Sequence, residues 1–234
     1  MDGRTRRMLQ MVRTARDFAR AHPVDSAGYI AALKRLEDGL ARADEVADRQ
    51  RDGQLQVRGA TVRKADLTNE MRNGHLSHLV AVAKVAAQEV PELAEKFVFK
   101  PNSRTHQAFR TAARGMAAAA QSNKDVLVKY GLVESVLDSL IQVLDQFDAA
   151  MERGTEGRRA HVGASAELRD VAEELVQIVQ SMDGVNRLRF ANNADLLAEW
   201  ESASNILATP RSAPATAGSS DTPPPPASGE VRAA

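Results

Sequence analysis

Apolar residues recur at intervals of three and four along most of the chain, which is the spacing of one face of an α-helix. The clearest run is Leu33, Leu36, Leu40, Ala43 and Ala47, and its alternating 3-4 spacing is typical of a coiled-coil-like seam between long helices. Breaks at Pro, Gly and Asn separate the periodic segments. We therefore expect an all-α protein, an elongated bundle of about five helices, over residues 4–21, 26–89, 104–129, 132–182 and 194–207.

Residues 33–78 occur twice in similar form, because the chain shifted by 104 positions lies on 137–182 without a gap. Eleven positions are then identical, against about four expected by chance for this composition. We interpret this as an internal duplication, which predicts two tandem pseudo-symmetric units built around helices of about 50–60 residues. The first segment also contains Asn73-Gly74, a turn signal, but its counterpart Gln177-Ile178 has no turn character, so a continuous helix is expected there.

Two pairs of glycines are kept in both copies: Gly53 with Gly157, and Gly59 with Gly163. A Gly inside a helix costs roughly 1 kcal/mol relative to Ala. Their retention therefore predicts a structural use, either a kink or a close crossing of the two long helices. Whether the helices are continuous through 51–60 and 155–164 stays open at this point.

The composition is that of a soluble helical protein, with 43% hydrophobic, 26% charged and 4% aromatic residues. The net charge of zero gives no general attraction to nucleic acid or anionic membranes. Without Cys, disulfides, thiol catalysis and thiolate metal sites are excluded. No segment has the length and apolarity of a signal peptide or a membrane span, so a cytoplasmic bacterial protein is expected. Residues 1–208 are expected to form the bundle, followed by a disordered Pro/Ala/Ser-rich tail over 209–234.

Two groups of residues could bind a metal. Asp66 and Glu70 recur as Asp170 and Glu174, so each long helix carries the same two carboxylates on one side. If the helices crossed through these sides, the four carboxylates would meet and could bind a divalent cation. His75 and His78 are spaced for a shared metal, but their repeat partners are Val179 and Met182, which favours packed or partly buried histidines. The alternative for the carboxylates is a solvated polar face.

The first helix carries a basic patch that includes Arg4, Arg6, Arg7 and Arg13. Such a helix can lie on anionic lipid or follow phosphates. The competing interpretation is an arginine face paired with acidic residues of the long helices, and the neutral net charge makes nucleic-acid or membrane binding the less favoured of the two.

No catalytic residue and no cofactor-binding motif stands out, since the chain has no phosphate-binding loop and no dinucleotide fingerprint. We therefore expect a non-enzymatic interaction or scaffold protein that associates with itself or with a protein partner. A metal-binding helical bundle is one alternative. A peripheral membrane or nucleic-acid accessory that uses the arginine helix is the other.

Overall fold

A computed structural model describes residues 1–206, and within this range every regular element is a helix. The expectation of an all-α bundle is confirmed, while the tail expected over 209–234 lies outside the described residues. A π-helical turn, Met71–Leu76, joins the second and third helices. The α-helices are α1 (Gly3–Ala21), α2 (Ala27–Glu70), α3 (Ser77–Ala86), α4 (Glu92–Lys96), α5 (His106–Ser122), α6 (Lys124–Lys129), α7 (Glu134–Arg189) and α8 (Ala194–Ala203).

The two long helices form the axis of the molecule and run antiparallel. The first comprises α2, the π-helical turn and α3 without a break, a length of about 90 Å at 1.5 Å per residue. At one end Asn186 Nδ2 donates to Tyr29 Oη over 3.1 Å, and at the other end His75 Nε2 lies 2.9 Å from Ser139 Oγ. Both glycine-containing stretches are helical, so the long helices continue through 51–60 and 155–164.

Two separate hydrophobic cores lie at opposite ends of this helix pair. The first contains Trp200 and is formed by α1, α8, the start of α2 and the end of α7. The second contains Phe147 and is formed by α3 to α6, the end of α2 and the start of α7. Between them lies a waist, residues 48–66 of α2 and 152–163 of α7, that contributes to neither core.

The two ends have a similar arrangement of elements, apart from α6, which lies between α5 and α7 and has no counterpart before α2. Each long helix is preceded by a helix of 17 to 19 residues, α1 or α5, and followed by a short one, α4 or α8. The ion pairs correspond as well: Arg13 binds Asp44 at one end, and Arg110 binds Asp148 at the other. Residues 44 and 148 are equivalent positions of the repeat, so the two units are arranged alike. Their origin by duplication stays a prediction.

The helices differ from the expected ones at several points, and α8 ends at Ala203, before the expected residue 207. The third helix is divided at Asn123 into α5 and α6, and α4 was not anticipated. The second long helix was expected to end at Asp183-Gly184 but continues to Arg189. The backbone of Gly184 stays in the right-handed helical region, and Asp183 Oδ1 accepts a hydrogen bond from Trp200 Nε1 at 2.8 Å. Asp183 Oδ2 also binds Arg187 one turn farther on at 2.7 Å, and such an i,i+4 pair supports a helix that continues.

Candidate interaction surface

The long helices make their closest contact at Gly53 and Gly157, in the middle of the waist. A Cβ atom added at Gly53 would lie 2.7 Å from the backbone N of His161 and 2.9 Å from the carbonyl O of Gly157. One added at Gly157 would lie 2.9 Å from the carbonyl O of Gly53. Only hydrogen fits between backbones at this distance, so both positions require Gly.

Gly59 and Gly163 were expected at the same crossing, and the structure places them elsewhere. Both are exposed, and an added Cβ would meet nothing within 4 Å. Each lies six residues after the crossing glycine of its own helix. At 100° per residue this is a rotation of about 600°, which leaves the glycine about 120° from the crossing direction, so it points away from the partner helix. The expectation was wrong for this pair.

A small polar network borders the crossing. Gln50 is buried although polar, and its Nε2 donates to Ser165 Oγ at 2.6 Å. His161 Nδ1 lies 3.1 Å from the carbonyl oxygen of Gln50. These bonds join the two helices where apolar contact is sparse. Because the side-chain amide of Gln50 is bonded, its burial carries little penalty.

The four carboxylates expected to share a cation do not come together. Asp66 and Asp170 each lie 13 residues after the crossing glycine of their own helix. Since the helices are antiparallel, the two residues lie on opposite sides of the crossing, roughly 40 Å apart at 1.5 Å per residue. Glu70 and Glu174 lie farther out still. Among residues 1–206, no cluster of three or more His, Asp or Glu is arranged to hold a metal ion.

The π-helical turn determines where His75 and His78 lie. Its i→i+5 hydrogen bonds take up one extra residue, so the side chains that follow are shifted by one position. Leu76 and Leu79 consequently occupy the buried positions, at 1% and 0% exposure. The two histidines are half-buried beside the core and not in the slots of their repeat partners, which the ungapped alignment had not anticipated.

The basic patch of α1 divides into paired and unpaired arginines. Arg13 forms its ion pair with Asp44 of α2, so this residue supports the paired interpretation. Arg4, Arg6 and Arg7 are exposed, and none of the ion pairs within residues 1–206 includes them. Arg4 borders a cleft together with Asp183 and Glu201, so acidic side chains are near it.

Three clefts follow one side of the α2–α7 pair and are lined by these two helices alone. Their volumes are about 560, 500 and 290 Å³. We call this side the open face. Its edge on α2 has side chains at intervals of seven residues, which is one stripe of a coiled coil: Arg35, Arg42, Arg49, Gln56 and Arg63.

The edge of the open face on α7 follows the same seven-residue interval. Its members are Arg153, Ala160, Glu167, Glu174 and Ser181. Glu167 joins the two edges, because its carboxylate binds Arg42 at 3.3 Å and Arg49 at 2.9 Å. Gly59 and Gly163 line the clefts between the edges, so the second glycine pair lies on the open face.

The sequence analysis identified the glycines and carboxylates that recur in both copies, but not the row of arginines beside them on α2. The signal was available, since Arg35, Arg42, Arg49 and Arg63 are separated by multiples of seven. Neither the apolar spacing nor the positions shared by both copies reveals this edge, because only Arg49 recurs in the second copy, as Arg153.

Comparisons with known proteins add no functional information. No protein-family model, no curated protein and no solved structure matches the chain. Among residues 1–206, no helix combines the length and the apolar character needed to cross a membrane.

Proposed function

We propose that this protein is a non-enzymatic helical scaffold that associates with a second copy of itself through the open face. The observation that carries the proposal is that residues kept in both copies of the repeat line the open clefts. Gly59 and Gly163 are one such pair, and Asp52 with Glu156 is a conservative one. Neither glycine has a packing role within the chain, so an external contact gives a reason to keep both.

The distribution of helices supports this choice of surface. At each end a helix, α1 or α5, packs against the α2–α7 pair and contributes to a core. No residue of either helix lines the three clefts of the open face. The open face extends from Arg35 to Arg63, about 42 Å at 1.5 Å per residue, which is long enough to receive another pair of helices.

The open face carries balanced charge, which favours a second copy over a highly charged partner. The three clefts are lined by five basic and five acidic residues, which are Arg35, Arg42, Arg49, Arg63 and Arg153 with Asp38, Asp52, Glu156, Glu167 and Glu174. Since the whole chain has 31 basic and 31 acidic residues, two copies approach without net repulsion.

Substituting the open-face glycines tests the proposal without disturbing the monomer. In the Gly59→Gln/Gly163→Gln variant two polar side chains enter the clefts, where an added Cβ has free space. Sedimentation velocity from 1 to 100 µM should show dimers for the original chain and a dissociation constant at least tenfold weaker for this variant.

The matched control is Gly115→Gln, because Gly115 is an exposed helical glycine of α5 with equally free space and lies outside the clefts. It should leave the dissociation constant unchanged. A chain that stays monomeric throughout this range, or a double variant that associates as well as the control, would overturn the proposal.

A further inference from the structure

We infer that the two copies pair with the same polarity, so that α2 of each copy lies antiparallel to α7 of the other across the open face. This inference rests on the proposed self-association and adds the arrangement of the pair. In this arrangement the first core of one copy lies beside the first core of the other, and the second core lies beside the second.

The charges of the two edges carry the inference. Within one chain, facing residues of α2 and α7 have numbers that add to about 210, as Gly53 and Gly157 do at the crossing. The same register between copies places Arg35 opposite Glu174 and Arg42 opposite Glu167. The next positions along the edges give Arg49 with Ala160 and Gln56 with Arg153. One interval farther on, Arg63 lies opposite Gln146, to whose equivalent in its own chain it donates a hydrogen bond. No like charges face each other in this arrangement, and the two-fold axis repeats each contact.

The opposite polarity is less favourable. In that arrangement α2 of one copy faces α2 of the other. If Gly53 of one copy lies level with Gly53 of the other, the residues that face each other have numbers that add to about 106. Arg42 then faces Arg63 twice, once in each direction. Like charges directly opposite one another destabilise a helix pair.

The edge side chains keep enough free surface to bind a second copy. Arg42 and Arg49 remain 56% and 60% exposed although both bind Glu167 within their own chain. Arg35 and Glu174 are exposed, and neither forms an ion pair with any of residues 1–206. Both are therefore available to a second copy, one on each edge.

A charge-reversal series tests the facing pairs. Arg35→Glu and Glu174→Arg should each weaken dimerisation at least tenfold, because each variant creates two like-charge contacts. The Arg35→Glu/Glu174→Arg variant should return to within threefold of the original chain. Arg58→Glu is the control, since Arg58 is an exposed arginine of α2 that lines none of the clefts, and it should have little effect. A double variant as weak as the single ones would overturn the pairing.

A distance measurement tests the polarity independently of affinity. The chain has no Cys, so Ala31→Cys on the exposed side of α2 provides a single site for a nitroxide label. With the same polarity the two labels lie across the width of the bundle, at roughly 20–40 Å for helices of about 10 Å diameter. With the opposite polarity each label lies 22 residues from the crossing on opposite sides, so the separation would be roughly 66 Å at 1.5 Å per residue.

The two proposals fail in different ways. Dimers that are broken by the open-face glutamines but show the longer label distance would overturn the polarity and leave the self-association in place. Absence of dimers at 100 µM would remove the self-association itself.

Discussion

Two glycines six residues apart on α2 should respond to alanine with opposite changes in stability. At Gly53 the new Cβ would lie 2.7 Å and 2.9 Å from backbone atoms of α7. Backbone cannot rotate away as a flexible side chain can, so the two helices have to separate locally. Overpacking of this kind costs about 1–3 kcal/mol, and the better helix propensity of Ala returns about 1 kcal/mol. We expect Gly53→Ala to destabilise the fold by up to about 2 kcal/mol.

Gly59 lies on the same helix with no atom within 4 Å of an added Cβ. Gly59→Ala therefore gains only the propensity term and should stabilise the fold by up to about 1 kcal/mol. For a chain of this size each kcal/mol corresponds to about 2–4 °C in Tm. Because both variants gain the propensity term, they differ by the overpacking cost of about 1–3 kcal/mol, which corresponds to a difference in Tm of about 2–12 °C.

Thermal unfolding followed by circular dichroism measures this difference, at a protein concentration below that of self-association. The second unit provides a replicate, because Gly157→Ala should behave as Gly53→Ala does and Gly163→Ala as Gly59→Ala does. If Gly53→Ala raised Tm as much as Gly59→Ala, the helices would not touch at the crossing and the antiparallel register would be wrong.

Three other properties follow from the structure. The pKa of Asp148 lies below its ordinary value, chiefly because Arg110 donates a hydrogen bond to the carboxylate. The pair therefore stabilises the fold above about pH 4, and this stabilisation is lost as the pH falls through the lowered pKa. Asp148→Asn should thus cost about 1 kcal/mol at pH 7 for this partly exposed pair, and in urea titrations it should flatten the loss of stability below pH 4. Leu79→Ala should lower the free energy of unfolding of the second core by about 2–5 kcal/mol. The helix-unfolding transition in urea should then move to lower concentration while the fluorescence transition of Trp200 in the first core stays nearly unchanged, and coincident shifts would contradict separate cores. Equimolar Zn²⁺ or Mn²⁺ should change Tm by less than about 1 °C in a differential scanning experiment, because Asp66 and Asp170 are too far apart to share an ion; a larger shift would reveal a site elsewhere.

The helical content could be predicted from the sequence because it depends on local patterns. Apolar spacing locates the five principal helices, and side-chain capping fixes some of their starts: Asp2 Oδ1 accepts from Thr5 N at 2.8 Å, and Asn193 Oδ1 accepts from Leu196 N at 3.1 Å. These signals involve residues within four positions of one another and need no knowledge of the tertiary fold.

The candidate surface could be predicted only in part, because it depends on the direction of the second long helix. An internal repeat shows which residues are equivalent but not whether the two copies run parallel or antiparallel. A parallel pair would have placed Asp66 beside Asp170; the antiparallel pair separates them and leaves Gly53 beside Gly157. Residues at the centre of a two-fold arrangement meet their own equivalents, and all other repeated residues do not.

The histidines could not be placed from the sequence for a different reason. A helical wheel assumes 100° per residue throughout, and the π-helical turn departs from that value within six residues. Every side chain after the turn is then assigned one position too early. The local signal is Asn73-Gly74, which is compatible with a continuous helix but gives no measure of its winding.

The π-helical turn also bears on how this chain tolerates shortening. Removing one residue from a long helix normally rotates everything beyond it out of its packing environment. Here one residue is in excess, since Leu76 and Leu79 are buried where the ungapped alignment would have placed His75 and His78. Deletion of Gly74 would convert the turn to ordinary α-helix and leave those leucines on the same side of the rod, so this is the place in the long helix where the chain can lose a residue and keep its core.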